Sequence, residues 1–343
     1  MSLPVTRRQF VRAGLRLSLL AAGVVGVSSC SPSSAASSPA PARLPRIGYL
    51  AVGPPPPGSA QNHEAFLEGL QALGYTVGEN LVVEYRWVTA GHDQYAEFTA
   101  ELLRDGVDLI VASGVLAAQA VKSATTQIPI VMVNVGDAVA TGLVASLAHP
   151  GGNITGVSTL TPPLTGKRVE LLRELVPSLS RVAVLGNPNV PDKARDWEEA
   201  RAAMQDLGLE AILLPLEEPD ELENAFAVAR QKNADALIVL NDDVTFIYRR
   251  RIAELALQSQ LPAIYPHSRF TEAGGLLSYG PNIPDLHRRA AYYVDRILKG
   301  TAPADLPVEQ PREFELVINL KSAEALGLTI PQPLLLRTNS VIR

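Results

Sequence analysis

The chain is 343 residues long, 47% hydrophobic, 19% charged and only 5% aromatic, ample for two medium α/β domains with buried cores. Its formal net charge of -5 argues against a general nucleic-acid binder. The charge is uneven: Arg7, Arg8, Arg12 and Arg16 precede Cys30 and no acidic residue does, so removing these four from the 30 basic residues leaves 26 against 35 acidic ones.

A basic leader on an acidic body reads as a targeting signal. Thr6-Arg7-Arg8-Gln9-Phe10-Val11 has the form of a twin-arginine export signal. The apolar stretch 15–27 that follows is short for a membrane span and diluted by Gly and Ala. Val27-Ser28-Ser29-Cys30 then has the form of a lipobox, and Cys30 is the only cysteine in the chain. Two or three acyl chains on Cys30 suffice for stable membrane anchoring. Residues 1–30 are therefore expected to be an export signal with lipobox. Residues 31–45, Ser, Ala and Pro with a single arginine and little else, are expected to be a flexible tether.

From Arg46 the chain alternates short apolar runs with amphipathic segments. Strands are expected at 47–52, 81–88, 107–112 and 128–135, with helices at 60–73, 94–104 and 116–124 between them. The alternation then restarts. Helices are expected at 164–175, 192–207, 221–231 and 244–258, and strands at 181–185, 209–214, 236–240, 262–265 and 275–279. Such alternation implies right-handed crossovers and parallel sheets covered on both faces. The tail, a helix at 286–298 and a strand at 314–320, lacks the partners to form a domain alone. Its simplest home is against the first unit. The expected fold class is thus α/β, with two doubly wound parallel-sheet lobes joined by a multi-strand hinge. Lobe 1 comprises 46–158 plus 282–343, and lobe 2 comprises 159–281. Several crossings between lobes suit closure over a ligand.

In open α/β sheets, ligands bind beyond the carboxyl ends of the strands. In the first unit that rule selects Gly53 and the loop to Ser59, then Ser113 with Gly114, then Asp137. A helix start behind Ser113-Gly114 offers unpaired N–H groups to a carboxylate, and Asp137 offers a carboxylate to an ammonium group. Together they meet the needs of an α-amino acid, although each residue alone could be an ordinary helix cap. In the second unit the rule selects Asn187, Asn241, Asp242, Tyr279 and Gly280. Asp242 could instead cap the following helix, and Tyr279 could serve lobe packing. Thr159 sits at the expected crossing. Tyr49, Tyr265 and Tyr279 are candidates to stack on an aromatic ligand, with core packing the alternative for Tyr49.

A set of local runs resembles a known family: Phe66-Leu67-Glu68-Gly69-Leu70, Glu84-Tyr85-Arg86-Trp87, Asp108-Leu109-Ile110-Val111, Ile128-Pro129-Ile130-Val131 with Val135-Gly136-Asp137, and Leu143-Val144-Ala145-Ser146-Leu147. His149-Pro150-Gly151-Gly152-Asn153-Ile154-Thr155-Gly156 is the most diagnostic, and the stretches from Glu272 to Gly280 and from Phe314 to Leu320 complete it. Over about Arg46 to Arg343 the chain resembles the ABC-transporter substrate-binding family that includes the tryptophan/tyrosine-binding lipoproteins. The resemblance implies a type 1 periplasmic-binding-protein fold, an ABC permease and ATPase as partners, and an amino-acid-like ligand. The chain departs from the family pattern at Gly114-Val115-Leu116, where Gly-Thr-Pro is common, in the four prolines after Gly53, and at Asn241-Asp242-Asp243.

Catalytic signatures do not emerge. There is no Gly-x-Gly-x-x-Gly, P-loop or Gly-x-Ser-x-Gly elbow, and His63, His92, His149, His267 and His287 lack metal-ligand spacing. Arg249-Arg250-Arg251 falls on an expected helix, where a solvated face is the simpler reading. The sequence therefore points to a monomeric, exported, lipid-anchored solute-binding protein of an ABC importer. It is expected to bind an amino acid or related small carboxylate and to need no cofactor, metal or nucleic acid. A receptor that presents ligand to a membrane signalling protein fits the same plan.

Overall fold

The computed structural model describes residues 43–53, 60–89, 93–159 and 162–343. The expected export signal with Cys30, most of the expected tether, the proline run 54–57 and Ser59 lie outside them. Residues 43–343 form one compact unit containing two α/β lobes.

Lobe 1 opens with β1 (Arg46–Val52), α1 (Ala60–Ala72), β2 (Val82–Val88), α2 (Asp93–Arg104), β3 (Leu109–Ser113), α3 (Val115–Ala124), β4 (Ile130–Val135) and β5 (Ile154–Ser158). The sheet order is β2-β1-β3-β4-β5, parallel throughout. β3 is buried along its whole length and β4 nearly so, which is why both read as continuous apolar runs. The β4–β5 pairing slips between Met132 and Val135, and Asn134 there adopts a positive φ of 58°.

Lobe 2 comprises α4 (Pro162–Leu175), β6 (Arg181–Gly186), α5 (Pro191–Asp206), β7 (Glu210–Pro215), α6 (Leu222–Gln231), β8 (Ala236–Val239), α7 (Asp243–Ile247), α8 (Arg249–Gln258), β9 (Ala263–Tyr265), α9 (Ser268–Glu272) and β10 (Leu277–Gly280). The chain then returns to lobe 1 as α10 (Ile283–Leu298), which packs on α1. Gly69 makes that approach possible, since a Cβ there would lie 2.6 Å from the Arg288 carbonyl oxygen. The segment after α10 stays on lobe 1: the Thr155 hydroxyl donates to the Leu306 carbonyl at 2.6 Å, and Glu309 bridges Val157.

Here the expected domain division is corrected. The tail strand β11 (Glu315–Asn319) does not join lobe 1. It pairs antiparallel with β10 and is followed by α11 (Leu320–Ala325), α12 (Gln332–Leu335) and β12 (Ser340–Ile342), which pairs with β11. The second sheet runs β12-β11-β10-β9-β8-β6-β7, parallel except at β10–β11. Leu316 and Ile318 are buried in the core of lobe 2. An apolar strand carries no mark of which sheet edge it will join, and the open edge at β10 takes it. Three passages link the lobes: after β5, after β10, and between α10 and β11. Among the described residues no helix is long and apolar enough to cross a membrane.

Candidate functional site

A cavity lies between the lobes at the carboxyl ends of β1, β3, β4 and β8. It is narrow, about 70 Å³, and the lobes are tied to each other around it. Tyr95 of α2 donates to the Asp243 carboxylate, and Arg195 of α5 pairs with Asp137 at 2.9 Å.

The lobe 1 wall is aromatic and polar. Tyr49 on β1 and Trp87 on β2 line the cavity with ring centroids 5.6 Å apart, and Tyr85 lies parallel to Trp87. His287 of α10 sits behind them, with Nδ1 3.0 Å from the Tyr49 hydroxyl and Nε2 3.5 Å from Ser113 Oγ. Burial, with His63 nearby, pushes the His287 pKa down to about 3, so the ring is neutral near pH 7. Burial likewise pushes the Tyr49 phenol up, so it keeps its proton. If Tyr49 donates to Nδ1, the proton on Nε2 faces Ser113 Oγ and leaves the serine hydroxyl free to donate into the cavity.

Ser113 ends β3, and Gly114 N-caps α3 with φ 97° and ψ 159°, a backbone state open essentially to glycine alone. No side chain caps this helix. Its first N–H groups, at Val115 and Leu116 on the cavity lining, lack intrahelical acceptors and present the positive end of the helix dipole. Asn134 and Asn62 also line the cavity, and each has a buried Oδ1 without a hydrogen-bond partner.

Lobe 2 faces this wall with charge. Asp192 and Lys193, at the start of α5, are buried and line the cavity. Lys193 Nζ lies 3.1 Å from Asp192 Oδ2 and 2.7 Å from Asp196 Oδ2, while Asp192 Oδ1 has no partner. Burial outweighs Lys193 and raises the Asp192 pKa; the two carboxylates raise that of Lys193. His267, 3.1 Å from Asn241 Oδ1 through Nε2, has an unpartnered buried Nδ1. Its pKa falls to about 3 through burial and the nearby Arg269, Arg168 and Arg249. The Phe246 ring completes the lining.

Among the residues that sequence reasoning selected, Tyr49, Ser113, Gly114, Thr159, Asn241 and Asp242 line this cavity. The Thr159 hydroxyl donates to the Val135 carbonyl. Asp242 is engaged: Oδ1 accepts from Thr245 N at 2.8 Å and Oδ2 from Asn187 N at 2.9 Å. The others lie elsewhere. Asp137 Oδ1 accepts from Val139 N and Ala140 N, so the residue closes a turn, with no helix behind it, and forms half of the interlobe ion pair. Asn187 lines a neighbouring hollow beside Tyr95, and Gly53 lines a separate groove with Arg249 and Arg250. Tyr279 packs on Phe314, and its carbonyl accepts from Arg168 Nε. A Cβ on Gly280 would lie 1.8 Å from the Pro266 carbonyl oxygen, so that glycine serves close packing. Tyr265 is buried against Phe270. Trp87, Asn62, Asn134, Asp192, Lys193 and His287 were not selected. Asn134 interrupts an apolar strand and Asp192 follows a strand end, so both carried a readable signal. His287 reaches the cavity only because α10 returns to lobe 1, which spacing along the chain does not reveal.

Comparison with known proteins bears on this arrangement. The family model described as ABC transporter substrate binding protein matches residues 56–342. A tyrosine-binding protein of Clostridioides difficile (strain R20291) is 26% identical over 265 residues, 77% of this chain and 76% of that protein. Two solved structures superpose closely, each 27% identical and each covered in full. A conserved domain protein from Vibrio cholerae has a TM-score of 0.82 over 87% of this chain. The ABC domain in complex with L-Trp from Streptococcus pneumonia has a TM-score of 0.81 over 88% of this chain.

Proposed function

Because the chain belongs to the ABC transporter substrate-binding protein family, we propose that it is the receptor of an importer for an α-amino acid with an aromatic side chain, exported and tethered by lipid on Cys30. The observation that carries this reading is the pairing of opposite requirements across one cavity. Ser113 and the uncapped start of α3 offer donors to a carboxylate, and the free Asp192 Oδ1 opposite offers an acceptor to an ammonium. Tyr49 and Trp87 offer flat apolar faces to a ring. Asp192 replaces Asp137 as the ammonium partner, since Asp137 is already engaged. The names of two relatives, one tyrosine-binding and one solved with L-Trp, support the aromatic class. The cavity is too small for such a ligand as the lobes stand, so entry requires them to part and binding draws them back.

The test is a calorimetric titration of the refolded protein with L-tryptophan, L-tyrosine and L-phenylalanine. Tryptamine and indole-3-propionate, which lack the carboxylate and the amine respectively, complete the set. Binding by an L-amino acid that is lost in both truncated analogues is the expected result. Equal binding of tryptamine would remove the carboxylate site, and silence from all three amino acids would remove the ligand class.

A further inference from the structure

The strongest feature that the cavity leaves unexplained is a second concavity of about 460 Å³, lined by other residues. Lobe 2 lines it with Arg249, Arg250, Arg269 and Glu272, and lobe 1 adds Gly53 and Thr89 at the ends of β1 and β2. Three guanidinium groups meet one carboxylate here, on a protein whose overall charge is negative.

The three are not alike. Arg250 is exposed. Arg249 lies over the Phe246 ring, 4.7 Å from its centroid, and donates to the Phe246 carbonyl at 2.8 Å. Arg269 is nine-tenths buried, and its nearest carboxylate is Glu272 at 3.5 Å. Its buried Nε has no hydrogen-bond partner. Leaving a charged donor buried and unmatched is costly. Burial and the fields of Arg269 and Arg250 also lower the Arg249 pKa, so the cluster repels itself. Planar guanidinium forks match the geometry of phosphate and carboxylate oxygens.

We propose that this groove is a second binding site, separate from the interlobe cavity, that takes a free oxyanion of the phosphate or dicarboxylate class. A dianion among the guanidinium groups that line the groove would balance the net positive charge of the four side chains. No residue lining the groove is assigned above to the amino-acid site, and the inference does not depend on that reading.

The experiment titrates the full chain, in a zwitterionic detergent and chloride buffer without amino acid, with inorganic phosphate and separately with succinate. Saturable binding is followed by calorimetry. Arg269→Gln and Arg250→Gln are each expected to weaken phosphate binding about tenfold or more. Arg251→Gln is the control and should leave it unchanged, because Arg251 pairs with Glu223 and Glu254 outside the groove. Arg250 is exposed, so its variant tests the site even if the Arg269 variant folds poorly. Failure of phosphate and succinate to saturate, or equal affinity in Arg250→Gln and the unsubstituted protein, overturns the proposal. Because no amino acid is present, its failure is distinct from failure of the amino-acid reading.

Discussion

Asp192 and Asp137 are both aspartates near strand ends, and their surroundings separate them. Asp192 is buried with one oxygen unpartnered, whereas both oxygens of Asp137 are engaged. Asp192→Asn is therefore expected to weaken amino-acid binding by about 10- to 100-fold, the worth of a charge-assisted hydrogen bond. Asp137→Asn keeps the oxygen that closes the turn and loses only a part-exposed ion pair, so its effect should stay within about fivefold. Calorimetric titration of both variants measures the difference. His267 and His287 make a second prediction. Their pKa values are held near 3 in the folded chain, while the unfolded chain takes up protons below about 6.5. Stability should thus fall on acidification from about pH 6.5, by roughly 1.4 kcal/mol per pH unit for each histidine once the unfolded chain is protonated. Asp192 and Asp242, whose pKa values burial raises, bind protons more readily when folded and offset part of the loss nearer pH 4. Urea denaturation across this range should show the slope, and His287→Gln should reduce it by about one proton.

At the scale of elements, α10 matters most, because it covers α1 and carries His287 to the cavity. Gly69→Ala would set a Cβ 2.6 Å from the Arg288 carbonyl oxygen and 2.8 Å from Ala291 Cβ. Overpacking of this kind costs about 1–3 kcal/mol, which urea denaturation resolves. Most elements were legible from periodicity because their burial follows it: β3 and β4 are continuous apolar runs, and α2 alternates buried Tyr95, Thr99 and Leu102 with exposed positions. Others were not. In β5, Ile154, Thr155 and Val157 suit a strand, but Gly156 breaks the short run, and pairing with β4 completes it. The expected helix at 244–258 is two helices that meet at Tyr248, and the short α9 has no period to detect. The strand-end rule located Ser113, Gly114 and Asn241 because it depends only on topology. It could not tell a side chain with both oxygens hydrogen-bonded, such as Asp242, from one with an unpartnered oxygen, such as Asp192. Nor could it see residues delivered from the far end of the chain.

For the whole molecule, two lobes joined by three passages form a clamp in which motion is concentrated at the crossings. Arg195–Asp137 and Tyr95–Asp243 tie the lobes in this arrangement. Removing the Tyr95 hydroxyl with Tyr95→Phe should favour separated lobes without touching the proposed ligand contacts. The radius of gyration from solution X-ray scattering is expected to be larger for this variant without L-tryptophan and to match the unsubstituted protein at saturation.

The interleaved connectivity also sets an order of events during synthesis. The helix that covers α1 leaves the ribosome only after β6 to β10 have been made, and β11 and β12 come last of all. Lobe 1 is complete only once α10 and the segment to Glu309 have been made, and lobe 2 only once β11 and β12 have. A nascent chain stopped between β6 and α10 would expose apolar surface on both halves at once, leaving two unfinished halves rather than one finished domain and a tail.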